Sequence, residues 1–204
     1  MKVKVKICGI RKKESALAAL QAGADFLGFN FVVSSKRYIN PVKAKEIIKI
    51  LGNKIKIVGV FENESLEKIN QLVEFLKLEF VQLHGQESNN FCQKIKAKVI
   101  KAFRLSLDFE VNKIKVLMKK YQVDFYLLDK EKEETRRLNL EKVKQLTNDF
   151  PIFLAGGLNS DNIEQVLKQI KPYGVDMARG IETNGKEDIN KIKNFIKRVK
   201  NELS

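Results

Sequence analysis

The sequence predicts a single (β/α)₈ barrel, because eight short apolar runs alternate with eight longer runs that have helical periodicity. The 204 residues suffice for one domain with a sizeable core, so we expect residues 1–204 to form one domain. The apolar runs are nearly continuous, which is typical of parallel strands covered on both faces. Eight successive units favour a closed TIM barrel over an open doubly wound sheet. The dinucleotide fingerprint G-x-G-x-x-G is also absent after the first strand.

The predicted elements follow one another without a long linker. Runs rich in β-branched and aromatic residues predict strands at 3–8, 26–31, 56–61, 80–83, 99–103, 123–129, 151–155 and 174–177. Between them, amphipathic runs predict helices at 13–21, 41–50, 65–76, 88–96, 109–121, 140–146, 161–170 and 188–199. The first helix should end near Gly23, and Asn40 followed by Pro41 supplies a cap and a first-turn proline for the second.

Composition describes an ordinary globular protein, with 44% hydrophobic and 31% charged residues. The net charge of +14 raises the possibility of a nucleic-acid partner. However, the lysines are spread through the helical segments, without a basic tail or an aromatic RNA-binding signature. We therefore expect a solvated surface and no nucleic-acid partner, although the positive field can attract anionic metabolites.

Several other classes are not expected. No apolar run is long enough for a signal peptide or a membrane span, so we expect neither. Two cysteines do not make a disulfide framework, which favours a reducing cytoplasm. A structural zinc site is not expected, because the chain has one histidine and no CxxC pattern.

Two candidate catalytic residues stand at strand ends, where barrels of this kind carry their chemistry. Cys8 follows the first predicted strand and Asp129 ends the sixth, so we expect them on opposite sides of the barrel mouth. A thiolate and a carboxylic acid facing one cavity can act as base and acid. Cys8 would need a nearby positive charge to lower its thiol pKa. The alternatives are an inert buried thiol for Cys8 and a helix cap or loop carboxylate for Asp129.

Glycines after the last two strands indicate a phosphate site. Gly156 and Gly157 follow the seventh strand, and Gly180 follows the eighth. Glycine lets backbone N–H groups approach an anion, and (β/α)₈ barrels frequently hold phosphate between these two loops. Arg179 would add a charged contact or point outward. The alternative is that the glycines only make tight turns.

Three further residues have open interpretations. Arg37, in the loop after the second strand, can grip a carboxylate bidentately or stand as a solvated cation. His84 follows the fourth strand, but a lone histidine is more often structural, and we assign it no catalytic role. Cys92 falls inside a predicted amphipathic helix and is expected to be a small core residue.

With these residues in place, the chain resembles the phosphoribosylanthranilate isomerases of tryptophan biosynthesis. The matching segments run in family order along nearly the whole chain. They are Lys6-Ile7-Cys8-Gly9, Gly28-Phe29-Asn30-Phe31, Ser34-Ser35-Lys36-Arg37-Tyr38-Ile39, Val58-Gly59-Val60-Phe61, Val81-Gln82-Leu83-His84-Gly85, Leu127-Leu128-Asp129, Leu154-Ala155-Gly156-Gly157-Leu158, and Gly174-Val175-Asp176 through Gly180-Ile181-Glu182.

The resemblance implies an Amadori rearrangement of N-(5'-phosphoribosyl)anthranilate to 1-(2-carboxyphenylamino)-1-deoxyribulose 5-phosphate. In the family's pattern Asp129 is the general acid that opens the ribose ring, and Cys8 is the general base that removes the C2 proton. Arg37 matches the residue that holds the anthranilate carboxylate, and Asp176 is similar to one near the ribose. The family uses no metal or organic cofactor, and barrels of this size occur as monomers or homodimers.

Two segments depart from the family's pattern. The span 131–140 lacks the glycines and the tryptophan that the family usually carries in the loop covering the site. Ala178-Arg179-Gly180 replaces the usual Ser-Ser-Gly of the phosphate loop. These changes keep two alternatives open. One is a divergent barrel acting on another phosphorylated aldose-amine, and the other is a catalytically silent barrel that binds a ligand.

Overall fold

The computed structural model describes residues 2–131, 134 and 136–202, and it forms a closed barrel of eight parallel strands in chain order. The strands are β1 (Lys4–Cys8), β2 (Phe26–Asn30), β3 (Lys56–Phe61), β4 (Phe80–Leu83), β5 (Lys98–Leu105), β6 (Phe125–Lys130), β7 (Ile152–Leu154) and β8 (Gly174–Met177). The helices are α1 (Lys13–Gln21), α2 (Pro41–Leu51), α3 (Leu66–Leu76), α4 (Asn89–Cys92), α5 (Val111–Lys119), α6 (Leu140–Thr147), α7 (Ile163–Gln169) and α8 (Ile189–Asn201). The predicted (β/α)₈ barrel is confirmed.

Aromatic side chains fill the amino end of the barrel. The ring of Phe26 meets those of Phe80 and Phe153 edge to face, at centroid distances of 5.3 and 5.2 Å. All three side chains are buried, and each such burial contributes about 1.5–3 kcal/mol. Because Phe26 and Phe80 begin their strands, this plug leaves the carboxyl end of the barrel for polar side chains.

Local capping chemistry sets where several helices begin. Asn40 caps α2 by accepting a hydrogen bond of 2.9 Å from the Val42 amide, and Pro41 occupies the first turn as predicted. Asp188 caps α8 by accepting from two backbone amides. A side-chain cap of this kind typically contributes about 1 kcal/mol.

The helix predicted over residues 88–96 was too long, because α4 ends at Cys92. The Asn70 side chain explains the early end. It donates to the Lys94 carbonyl at 3.1 Å and accepts from the Lys96 amide at 2.9 Å. These bonds draw the chain out of the helical path toward α3. Cys92 is buried, and its prediction as a core residue is confirmed.

A short antiparallel hairpin after β8 was not predicted. Its strands are β9 (Glu182–Thr183) and β10 (Lys186–Glu187). Asn184 and Gly185 form the turn with φ of 51° and 72°. An Asn-Gly pair is the strongest short-range signal for such a turn, so the sequence did contain the information.

Both cysteines of the chain are free and buried. Within residues 2–131, 134 and 136–202, no helix has the length and apolar character needed to cross a membrane. The same part of the chain contains no cluster of three or more His, Cys, Asp or Glu side chains placed to hold a metal ion.

Candidate active site

The thiol of Cys8 lies beside a buried ion pair at the end of β1. Two residues earlier on the same strand, Lys6 is fully buried, and its Nζ lies 2.8 Å from Asp176 Oδ1 on β8. The charge of Lys6 also acts on the thiol of Cys8. Burial raises the pKa of the Cys8 thiol, the positive charges of Lys6 and Arg37 oppose that rise, and Asp176 adds to it. The raised thiol pKa favours the protonated form, and the adjacent cation of Lys6 would stabilise a thiolate.

Gly28 on β2 makes the space that the thiol occupies. It pairs with Cys8 in the β1–β2 ladder, and its carbonyl accepts from the Gly9 amide at 2.9 Å. A methyl group at Gly28 would lie 2.7 Å from Cys8 Sγ and 3.2 Å from Cys8 Cα. Since carbon–carbon contacts are optimal at about 3.5–4.0 Å, a side chain here would displace the thiol.

One carboxylate oxygen of Asp129 is bound to a backbone amide, and the other faces His84. Its Oδ1 accepts a 2.8 Å hydrogen bond from the Lys130 amide, and its Oδ2 lies 3.7 Å from His84 Nε2. Burial raises the pKa of Asp129, with a further contribution from Asp176. The Lys130 amide bond and the charges of Arg104 and Lys130 oppose the shift. A raised pKa suits a proton donor. Asp176 acts on the pKa of both Asp129 and Cys8, which places all three in one electrostatic neighbourhood.

His84 extends from the end of β4 toward Asp129. The Gln82 amide nitrogen lies 3.1 Å from His84 Nδ1; in this amide orientation the NH₂ donates, Nδ1 accepts and Nε2 carries the proton. Burial, together with the charges of Arg104, Lys6 and Lys101, lowers the pKa of His84 to about 3. The ring is therefore neutral at physiological pH.

A buried network fixes the loops around His84. Glu87 Oε1 accepts from the Asn63 amide at 2.8 Å, while Oε2 accepts from the Gly85 amide at 3.0 Å and from Lys101 Nζ at 2.8 Å. Lys101 also donates to the Gly85 carbonyl at 2.7 Å. The side chains of Lys101 and Glu87 are almost completely buried. These bonds join the loops after β3 and β4 to β5.

Arg37 is already paired in this structure. Its Nε donates to Glu182 Oε1 at 2.9 Å and its Nη2 donates to Glu182 Oε2 at 2.8 Å. One edge of the guanidinium is therefore occupied by a carboxylate from the loop after β8. A second carboxylate can approach the remaining edge, which is formed by Nη1 and Nη2.

The glycine loops after β7 and β8 lie against each other. Gly156 and Gly157 have φ of 88° and 83°, a conformation that favours glycine. Their amides donate to no other group in the described part of the chain. A methyl group at Gly180 would clash with the Leu158 carbonyl and lie 2.9 Å from Met177 Sδ, which shows how closely the loops approach.

Cationic side chains surround these glycines. A methyl group at Gly157 would lie 3.7 Å from both Lys130 Nζ and Arg137 Cγ. Arg179 is exposed, at the start of a short 3₁₀ turn covering Arg179–Ile181. Free amides beside lysine and arginine side chains are suited to an anion.

Comparisons with known proteins agree with this geometry. A family model described as N-(5'-phosphoribosyl)anthranilate (PRA) isomerase matches residues 5–198. The chain belongs to this family. The isomerase of Chloroherpeton thalassium is 38% identical, over 98% of this chain and 97% of that protein. The isomerase of Bacillus mycoides is 40% identical, over 97% of this chain and 98% of that protein.

Solved structures of the family superimpose closely on the chain. Phosphoribosylanthranilate isomerase from Thermotoga maritima has a TM-score of 0.88 and 36% identity, covering 98% of this chain and 99% of that one. An isomerase solved with reduced 1-(o-carboxyphenylamino)-1-deoxyribulose 5-phosphate has a TM-score of 0.85, 36% identity and the same coverage. Another structure contains monomers generated from the dimeric T. maritima isomerase.

Residues named from the sequence lie around one mouth, yet several of their partners were not foreseen. Lys6 was not named, although alternation along β1 puts it on the same face as Cys8. Gln82 likewise lies two residues before His84, a spacing that places two side chains on the same face of an extended segment. Glu182 lies 145 positions from Arg37, and no pattern in the sequence links them. Residues 132, 133 and 135 of the divergent 131–140 segment lie outside the described residues.

Proposed function

We propose that the chain catalyses the Amadori rearrangement of N-(5'-phosphoribosyl)anthranilate to 1-(2-carboxyphenylamino)-1-deoxyribulose 5-phosphate in tryptophan biosynthesis. The observation that best supports this function is that the site contains two titratable groups, the Cys8 thiol and the Asp129 carboxyl, in different electrostatic environments. Cys8 stands beside the buried cation of Lys6, and Asp129 has a raised pKa with one oxygen presented to the mouth. One group can accept a proton while the other gives one up.

Asp129 would act first, as the general acid. Its protonated carboxyl would donate to the ribose ring oxygen, the C1–O bond would break, and the anthranilate nitrogen would form an iminium with C1. The raised pKa of Asp129 supports this role, because it keeps the carboxyl protonated at higher pH than an exposed aspartate.

Cys8 would act second, as the general base. The iminium acidifies the C2–H bond, and its positive charge adds to that of Lys6 in favouring the thiolate. The thiol would release its own proton to solvent as the cation forms, and the resulting thiolate would take the C2 proton to give an enolamine with a hydroxyl on C2, which tautomerises to the ketone. Because burial raises the pKa of the Cys8 thiol, the charge of the substrate cation would be needed beside those of Lys6 and Arg37 to shift Cys8 to the thiolate.

The ends of the substrate would be held by the flanking groups. The anthranilate carboxylate would approach the Nη1–Nη2 edge of Arg37, since the other edge is paired with Glu182. The phosphate would accept from the amides of Gly156, Gly157 and Gly180, with Arg179 adding charge. Asp176, which is held by Lys6, would lie near the ribose.

The remaining expectations complete this proposal. No step assigned above calls on a metal or an organic cofactor. Every residue with a role comes from one chain, so the site would work in a monomer or a homodimer. The barrel would be the only domain of residues 1–204. Two free cysteines accord with a cytoplasmic enzyme.

The test is isomerisation by the purified protein. N-(5'-phosphoribosyl)anthranilate is generated in situ and its loss is followed by fluorescence, with the product identified by mass spectrometry. Turnover well above the buffer control is expected. Turnover no faster than buffer, with the substrate still bound, would favour the silent ligand-binding barrel. Activity only on another phosphorylated aldose-amine would favour the divergent enzyme.

A further inference from the structure

His84 is a buried side chain that the two proton-transfer steps do not use. Its Nε2 atom is inaccessible to solvent and has no hydrogen-bond partner among the described residues. It lies 3.7 Å from Asp129 Oδ2, too far for a hydrogen bond but within reach of a small side-chain rotation. A buried donor without a partner is costly, so its placement calls for a functional reason.

The proton on Nε2 follows from the orientation of the Gln82 amide, whose NH₂ faces the His84 ring. The Gln82 amide occupies Nδ1 at 3.1 Å and leaves the N–H on the side of Asp129. The charged groups that face the ring are Arg104 and Lys101 from β5, Lys6 from β1, Glu62 from the end of β3, and Asp129 itself. Three of these five are cations, and together with burial they keep the imidazole neutral.

Asp129 has one oxygen free for proton donation. Oδ1 is bound to the Lys130 amide, so the departing proton belongs to Oδ2, the oxygen that faces His84. When Oδ2 loses its proton it becomes a stronger acceptor, and a charge-assisted bond from Nε2–H can form. Before proton transfer, the same bond is weak or absent.

We propose that His84 is a positioning residue whose Nε2–H closes onto Asp129 Oδ2 as that carboxyl gives up its proton. This inference rests on the proposed function. The bond stabilises the carboxylate formed by the acid step, so it lowers the barrier to ring opening and leaves substrate binding unchanged. The ring stays neutral throughout and exchanges no proton with the substrate.

The test compares His84→Gln, which keeps an N–H donor, with His84→Leu and His84→Met, which remove it. In the apolar variants we expect kcat to fall about 10- to 100-fold with little change in KM, since hydrogen bonds to charged groups are the stronger ones. His84→Gln should recover most of the loss. Thermal unfolding of each variant controls for folding.

A second readout does not depend on activity. The carboxyl pKa of Asp129 is measured by ¹³C NMR on free enzyme, and it should rise in the apolar variants and return toward wild type in His84→Gln. An unchanged Asp129 pKa in a folded apolar variant would overturn the inference. Loss of folding in both apolar variants would also count against it, by showing a structural role. An inactive wild type would instead refute the proposed function, whatever the NMR result.

Discussion

Gly28→Ala should impair catalysis by moving the thiol of Cys8. The added methyl would lie 2.7 Å from Sγ, about 1 Å inside the optimal contact distance. The φ of Gly28 lies outside the left-handed region, so the effect is steric. A 1 Å misplacement of a reacting group can cost about 100-fold in rate, which corresponds to about 2.7 kcal/mol in the barrier.

The assay measures kcat/KM by fluorescence together with the free energy of unfolding in urea. Gly59→Ala is the matched control, because its methyl would lie 2.6 Å from Leu78 Cδ1, away from the thiol. Both variants should lose about 1–3 kcal/mol of stability from overpacking. Only Gly28→Ala should lose activity. A Gly28→Ala enzyme within threefold of wild type, or an equal loss in Gly59→Ala, would refute the reasoning.

The remaining predictions concern stability. Lys101→Met leaves Glu87 buried without its cation, so urea unfolding should show a loss of about 3–5 kcal/mol. Lys113→Met breaks an exposed pair and should cost under about 1 kcal/mol; equal losses would contradict the argument. The pKa of His84 is about 3 in the folded protein and about 6.5 in the unfolded chain. As the pH falls below 6.5, the unfolded chain therefore takes up a proton that the folded protein does not, and the free energy of unfolding decreases. At pH 4.5 the lost stability amounts to about 3 kcal/mol, and His84→Gln should abolish this loss; an identical acid-side slope in both proteins would argue against a buried neutral ring.

The fold could be predicted well because buried parallel strands have a clear pattern. The predicted bounds of β3, β4, β8 and α1 match the structure, since continuous apolar runs end sharply at polar or glycine residues. Once a barrel is inferred, strand ends become the candidate site. That step singles out Cys8 and Asp129 from the sequence alone.

The contacts that tune the site could not be predicted from the sequence in the same way. Lysine is normally a solvated residue, and only the closed barrel shows that Lys6 is buried against Asp176. The tautomer of His84 depends on one amide at 3.1 Å. The pairing of Arg37 with Glu182 joins two loops distant in sequence. Each of these depends on three-dimensional proximity, which periodicity and spacing do not encode.

The most direct measurement of the central claim compares turnover of N-(5'-phosphoribosyl)anthranilate by the wild type, Cys8→Ser and Asp129→Asn. All three proteins should fold alike and bind the reduced product analogue with similar affinity. The wild type should turn over, and each variant should lose at least about 100-fold in kcat, the lower range for a general acid or base. Full activity in Cys8→Ser or in Asp129→Asn would contradict the assignment of that residue as base or acid.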